Sequence, residues 1–514
     1  MTAKSDFFSG MKATSATGRT ISIEEMTSGE SLLLGKHYAN PSKEPVSYNP
    51  DLMPNSHVLL LGKSQTGKTT TLKKFIEYMG KPRDIPGYSE PVQKTGFVLD
   101  FSGDLGVPGE NSILIKGRKS QYGLNLFELF SKDYNSGGVN VQRANIIRMI
   151  ERYFLGGGMG SVQSSVMEQL ISDTYALKGI FDDKEETWDN ELPVAEDMLE
   201  LLILIVDSAE TALSVNMLKK IKADGKRIRK LDGHIDVAKD KIDLLEKKGE
   251  GDKVAQGKIG KIADQLSKLE DDRNSLYNGL KTLMSDFLDH KIYGEEAGGE
   301  IIIEDDKPLN VDIGFYSERN ALNALKSLRP HLQKIVESGA FSGQLPPIKR
   351  GVNRIDLSLL SLPLQKLFTD LFAQKAFTSV RSRGVYREWP NRVDSFRIDV
   401  FFVIDEAKLI IPEGRAAKES KEEPINRIVA ESLKFGMCIL MASQKISHFS
   451  SEMLTNASFK LILQLGPNDM QAAKTMLGLK EGDMRVLQHF GVGLVLDGTK
   501  KPVPTVFPWA NIPN

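Results

Sequence analysis

The chain has 514 residues, 40% of them hydrophobic and 26% charged, which suits a soluble globular protein long enough for more than one domain. Sixty-seven Lys and Arg oppose 68 Asp and Glu; the formal net charge of −1 excludes a basic coat over the whole surface, so any contact with nucleic acid has to come from a local patch. The single cysteine, Cys438, excludes an intrachain disulfide framework and sits in an apolar run, where a small core residue is expected rather than a reactive thiol.

The N-terminal Met1–Phe8 has no apolar signal-peptide core, and apolar runs such as Leu201–Val206 and Val400–Ile404 are too short to span a bilayer. No integral membrane segment and a cytoplasmic location are therefore expected. Residues 1–56 form a polar N-terminal extension in which Leu32–Gly35 and Val46–Tyr48 read as short strands leading into the core.

The pattern changes at His57. An apolar run, Val58-Leu-Leu-Leu61, leads into Gly62, Lys63, Ser64, Gln65, Thr66, Gly67, Lys68, Thr69 and Thr70. This is the phosphate-binding loop G-x-x-x-x-G-K-[ST] between a strand and a helix. Its glycines let backbone N–H groups turn inward around an anion at a helix N-terminus. In that pattern Lys68 reaches the β- and γ-phosphates and the Thr69 hydroxyl ligands Mg²⁺. Gly96–Asp100 and Ser112–Ile115 read as further strands, and Tyr122–Phe127 as a turn carrying Asn125. The β-α-β-β rhythm of 57–135 argues for an α/β core with a mostly parallel sheet. Asp100 and Asp104 follow one strand; capping of their own loop is the expected role, with contact to the metal or attacking water the alternative.

Residues 136–299 read as a helical insertion, interrupted by a Gly-rich turn at Gly156–Gly160 that lacks the strand and lysine of a phosphate loop. Within it, 213–290 is rich in Lys, Asp and Glu. Ile221, Ile228, Ile235 and Ile242 repeat every seven residues, offset from Leu231, Ala238 and Leu245. After Gly249-Glu-Gly251 a second double series follows, Ile259, Leu266, Leu280 and Phe287 with Ile262, Leu269, Leu276 and Leu283, broken only at Arg273. Two heptad runs around a turn predict an antiparallel coiled-coil hairpin whose arms reach roughly 50 Å at 1.5 Å per residue. A two-per-heptad stripe is narrow for a helix pair lying flat on a body, which favours a projecting arm.

Residues 300–514 return to mixed signals. Ile301–Ile303 and Val311–Ile313 are strand-like, and Glu318–Ser338 is an amphipathic helix that Pro330 should kink or split. Its Arg319, Lys326, Arg329, His331 and Lys334 form a solvated face or a DNA-facing one. Ile355–Ser358 reads as a strand and Gln365–Val380 as a helix. Arg397–Glu406 is a buried strand ending in two acids. Asp405 is expected to hold Mg²⁺ opposite the phosphate loop, and Glu406 to polarise an attacking water. Gly436–Gln444 is a second buried strand, whose terminal Gln444 is placed to sense the γ-phosphate or orient the water. Leu461–Leu465, Gly491–Leu496 and Val503–Phe507 complete the domain.

These pieces in this order resemble the HerA/FtsK superfamily of ring-forming motor ATPases, and within it HerA-type helicases and the ATPases of conjugative secretion. The matching residues are Gly62–Thr69, Val98–Asp100, Gly123–Phe127, Phe402–Ala407, Ala442–Gln444 and Asn456–Ser458, covering about 57–130 and 300–510. The resemblance implies a RecA-like P-loop NTPase core, ATP and Mg²⁺ as cofactors, and a homo-oligomer, a hexamer, with ATP at subunit boundaries. It also implies DNA as the substrate track and a nuclease or other effector as partner, in DNA processing or antiviral defence. A peripheral ATPase of a conjugation or secretion system and a slowly hydrolysing assembly platform are the alternatives. Three departures accompany it. Only 56 residues precede the loop, too few for the N-terminal β-barrel of HerA proteins. The hairpin is an unusually long insertion. The family's Arg-Lys pair, whose arginine acts in trans, reads Leu433-Lys434 here, leaving Arg427, Arg381 and Arg383 as candidates and Lys434 as a substitute point charge.

Overall fold

The computed structural model describes residues 31–43, 45–85, 87–117, 120–129, 137–156, 158–248, 253–293, 311–389, 392–393, 396–411, 423–489, 491–498 and 501–508. The expected strand at Ile301–Ile303 and the hairpin turn at Gly249–Gly251 lie outside these residues. By internal contacts the chain divides into two compact units: residues 1–159, 178–196 and 332–514 in the first, 160–177 and 197–331 in the second.

The first unit is built on one sheet of eleven strands among the described residues. They are β1 Leu32–His37, β2 Val46–Tyr48, β3 Val58–Leu61, β4 Thr95–Asp100, β5 Asn111–Leu114 and β6 Gly351–Asp356, then β7 Val400–Ile404, β8 Met437–Ser443, β9 Phe459–Ile462, β10 Val492–Leu496 and β11 Val503–Val506. Their order is β2-β1-β11-β10-β9-β3-β8-β7-β4-β6-β5. From β9 to β5 every pairing is parallel, whereas the β2-β1-β11-β10-β9 edge is antiparallel. The strands of the extension thus add to the sheet edge.

The sequence pattern explains this division. Every residue of β3 (VLLL), β7 (VFFVI) and β8 (MCILMAS) is buried, as required of parallel strands covered on both faces. The core that covers them includes Leu72, Phe75, Ile76 and Met79 from one face of helix α1, Lys68–Gly80. Between β4 and β7 the register sets Gly96 opposite Phe401, and a Cβ at Gly96 would lie 2.2 Å from the ring tip. The glycine is therefore the space in which a buried phenylalanine sits.

The other helices include α2 Gly138–Phe154, α3 Ser161–Leu177, α4 Ala195–Lys248, α5 Lys253–Tyr293, α6 Arg319–Glu337, α7 Leu362–Arg381 and α8 Pro424–Glu431. Helix α2 groups with the sheet, where Arg148 (3.2 Å) and the Tyr153 hydroxyl (2.9 Å) reach the buried Asp370 of α7. The contact division therefore starts the second unit later than the expected insertion boundary of 136.

In the second unit, α4 has 54 residues and α5 has 41. They run antiparallel: Asp232 pairs with Arg273 at 2.9 Å and Lys239 with Glu270 at 3.1 Å. The heptad positions from Ile221 to Leu245 and from Ile259 to Leu283 are half-buried or buried, while the residues between them are mostly exposed. Arg273, the one polar seam residue, spends its charge on Asp232 across the seam.

Three local expectations need correction. The strand read at Ile355–Ser358 is β6, Gly351–Asp356, four residues earlier. Its polar Asn353 and Arg354 hid it: Asn353 is buried and bonds Gly96 and Lys349, and Arg354 pairs with carboxylates. Val311–Ile313 is not a strand, because the Asp312 carboxylate accepts from the Phe315 N–H and starts a helical turn at Ile313–Tyr316. Pro330 lies inside α6 without splitting it; Leu325, Leu328, Leu332 and Ile335 on either side are all buried and continue one apolar face through it.

Candidate functional site

The phosphate loop leaves the C-terminal end of β3, and hydrogen bonds fix its first residues: Gly62 N donates to the Ser443 carbonyl (3.2 Å) and Lys63 N to that of Gln464 (2.9 Å). A Cβ at Gly62 would meet Thr66 Oγ1 at 2.6 Å, so only glycine lets the loop close this tightly. Thr66 Oγ1 itself donates to the Lys63 carbonyl at 2.8 Å. Gly67 caps α1 in the left-handed region (φ 88). Gln65 (φ 63) is the one non-glycine with positive φ among the described residues. Such a conformation costs on the order of 1 kcal/mol and persists where a functional loop demands it. Lys68 Nζ donates to the Lys63 carbonyl at 3.0 Å, which keeps the ammonium on the loop.

Because β8 lies between β3 and β7, the residues that follow those three strands gather at one edge of the sheet. Gln444 Nε2 donates to Glu406 Oε2 at 3.3 Å, and Ser64 Oγ donates to Gln444 Oε1 at 3.5 Å. Gln444 thus links the phosphate loop to the acid. Glu406 Oε1 is buried and has no hydrogen-bond partner among the described residues, an acceptor that a water would satisfy. Lys408 Nζ lies 3.9 Å from Glu406 Oε2.

Asp405 is pushed up to about 6 by burial and by the negative charges of Asp104 and Glu406, with Lys68 pulling the other way and Asp100 adding to the rise. Burial lowers the Lys68 ammonium from its ordinary range, and Asp405 and Glu406 oppose that shift. The two acids and the lysine therefore share one field. A carboxylate whose charge is under-compensated, in the field of the phosphate-loop lysine, suits Mg²⁺. That ion usually takes one or two carboxylates together with substrate phosphates.

Asp100 supports this edge. Its buried carboxylate accepts from the N–H groups of Ser102 (3.3 Å), Gly103 (2.8 Å) and Leu105 (3.0 Å), the loop-capping role expected of it. It also receives Arg354 Nη1 at 3.0 Å, while Arg354 Nε reaches Glu110 at 2.7 Å. Sequence reasoning did not single out Arg354, Ser64 as a partner of Gln444, or Lys408. Only the lysine, two residues beyond Glu406, carried a local signal.

Lys68, Ser64, Asp405, Glu406 and Gln444 are brought together; the candidate arginines are not. Arg427, on the exposed face of α8, bonds Glu431 at 3.2 Å. The same helix is tied through the Val429 carbonyl to His57, at the start of β3, the end of the strand remote from the loop. The Arg383 guanidinium lies over the Trp389 ring at 3.9 Å. Arg381 ends α7.

No family model matches the chain, and no curated protein matches it in sequence. Among solved structures it is similar to VirB4 of Thermoanaerobacter pseudethanolicus, with a TM-score of 0.52 at 13% identity over 94% of this chain and 98% of that one. A partial likeness, with a TM-score of 0.22 and 10% identity over 30% of this chain and 67% of the other, is to the genome packaging NTPase B204 of Sulfolobus turreted icosahedral virus 2 in complex with ATP-gammaS. The sheet order, the phosphate loop after β3 and the acids after β7 are those of an α/β, RecA-like P-loop core, the fold that the likeness to VirB4 shows.

Proposed function

We propose that the chain is an ATPase that hydrolyses ATP with Glu406 as general base and works as a ring-forming, HerA-type DNA translocase. The observation that carries the hydrolytic part is the line Ser64–Gln444–Glu406, with one Glu406 oxygen buried and unpartnered among the described residues. Backbone N–H groups of Gly62–Thr69 bind the phosphates, and Lys68 swings from the Lys63 carbonyl to the terminal phosphates. Glu406 accepts a proton from the attacking water, which is aligned within reach of Gln444. Thr69 and Asp405 would hold Mg²⁺, which neutralises charge on the phosphates when bound. The chain's own site contains no arginine among the described contacts; Arg427, exposed on α8, is the candidate to act on a neighbour's ATP in a hexamer.

Glu406→Gln keeps the bond to Gln444 and removes the base. Hydrolysis, with and without DNA, is expected to fall by about 10²–10⁴-fold while ATP binding persists. An unchanged hydrolysis rate in that variant defeats the site assignment. DNA as track, a nuclease or effector as partner, a defence role and a cytoplasmic location belong to the same reading. Among the described residues no helix is long and apolar enough to cross a membrane. The likeness to VirB4 over nearly the whole chain favours a second reading, a peripheral ATPase of a conjugation or secretion system. A strand-displacement or translocation assay separates the two: ATP turnover indifferent to DNA, with no movement, supports the second.

A further inference from the structure

At the opposite end of the same strands lies a cavity of about 520 Å³, outside the site described above. Its walls come from the segment before β3, the segment before β7 and the turn before β8. Four cationic side chains line it: Arg387, Arg392, Arg397 and Lys434. Arg387, Arg397 and Lys434 are exposed and have no carboxylate partner among the described residues. Arg397 spends one guanidinium nitrogen on the neutral Pro54 carbonyl at 2.9 Å.

The one acid in the lining, Asp51, is already committed. It takes Lys94 Nζ at 2.7 Å, Arg83 Nη1 at 3.2 Å and the backbone N–H of Arg397 at 2.9 Å. Two full cations neutralise it, so it leaves the charges of Arg387, Arg397 and Lys434 uncompensated among the described residues. The floor is rigid. Tyr386, Trp389, Val393 and Phe396 form a small buried cluster of their own, backed by Ile85, Tyr88 and Val92. Gly436, at φ +80, admits the Tyr386 ring where a Cβ would lie 2.7 Å from it. Beside the cations the wall is apolar, with Leu52, Val385 and Leu433.

We propose that this cavity is a second binding site for a nucleoside di- or triphosphate. Several unpaired cations, most of them arginines whose forks fit phosphate oxygens, match a polyphosphate rather than a single carboxylate. The volume lies within the roughly 300–1,000 Å³ of small-ligand pockets, and the apolar wall offers a place for the nucleoside. A concave site of this size fits a discrete ligand better than the open stripe that tracks a nucleic-acid backbone. The proposal does not rest on the hydrolytic reading of the phosphate loop.

The test uses the full chain carrying Lys68→Ala, which weakens the phosphate loop and leaves the cavity intact. Titration with a fluorescent ADP is expected to show residual saturable binding that inorganic tripolyphosphate displaces. Adding Arg387→Glu and Arg397→Glu is expected to weaken that binding at least tenfold, with an unchanged circular dichroism spectrum and melting temperature. Arg387→Ala alone, at an exposed side chain with no hydrogen bond or ion pair among the described residues, guards against misfolding and is expected to weaken it severalfold. Three results overturn the proposal: no saturable binding in the Lys68→Ala protein, binding that ignores both charge reversals, or displacement by an oligonucleotide but not by tripolyphosphate.

Discussion

Gln444 is the residue that joins the two halves of the site. Its amide has two ends with different tasks: the oxygen accepts from Ser64 on the phosphate loop and the nitrogen donates to Glu406. Leucine is close in size but can do neither. Gln444→Leu is expected to lower kcat by roughly 10–100-fold, as a misaligned water does, with little change in the Kd for ATP. A parallel loss of ATP affinity would show that Gln444 builds the loop rather than aligns the water. His57, at the other end of β3, has no part in that chemistry. Its ring Nε2–H donates to the Val429 carbonyl (3.0 Å) and its Nδ1 accepts from the Ile439 N–H (3.0 Å), so the tautomer is fixed. A proton on Nδ1 would face an N–H, and burial lowers the ring's pKa to about 4, from 6.5. The folded value is depressed, so the stabilising contribution is complete above pH 6.5 and is lost as pH falls towards 4. The loss amounts to about 3 kcal/mol. Urea unfolding of wild type and His57→Gln at pH 7.5 and pH 4.5 checks it: the wild type should lose more stability by about that amount, and equal losses would place the acid sensitivity elsewhere.

At the scale of elements, the packing of β4 on β7 makes its own prediction. Gly96→Ala pushes a methyl into the Phe401 ring, and overpacking of a rigid core costs about 1–3 kcal/mol. Phe401→Leu alone should also destabilise, yet the pair should be less than additive because leucine vacates the space the methyl needs. Additive losses in denaturant melts would mean that the two residues do not share that space. The same strands show what the sequence could convey. β3, β7 and β8 were legible because each is a continuous apolar run followed by the polar residues proposed for hydrolysis, so Lys68, Asp405, Glu406 and Gln444 stood out by their place after a strand. β6 was displaced because it carries Asn353 and Arg354, whose polarity is satisfied in large part by residues far away in the chain, Gly96, Asp100 and Glu110. The half-buried positions of α4 and α5 follow the period read from the sequence, whereas the salt bridges beside the cavity were not legible: Asp51, Lys94 and Arg83 are spread over the chain, and nothing local marks them as neighbours of each other or of Arg397.

At the scale of the whole molecule, every residue assigned to hydrolysis belongs to the first unit, while the α4–α5 pair belongs to the second. The pairs 232–273 and 239–270 set the antiparallel register, and extending it places residue 224 beside residue 281. Packed helices lie about 8–10 Å apart, a gap that a few Gly and Ser residues span. Replacing residues 225–280 by such a linker therefore removes the distal arm without asking the remaining helices to move. The seam residues from Ile228 to Leu280 leave together, and the register keeps Ile221 and Leu283 opposite each other in what is left, so no apolar face loses only one of its partners. Basal ATP hydrolysis by the shortened chain is expected to stay within about twofold of the full chain, and its melting temperature to remain close. What should change is association with whatever the arm meets, read as loss of a co-purifying partner or of an assembly state in mass photometry. A fall in basal hydrolysis of more than tenfold, with the melting temperature preserved, would mean instead that the arm takes part in the ATPase cycle and is not a separate docking element.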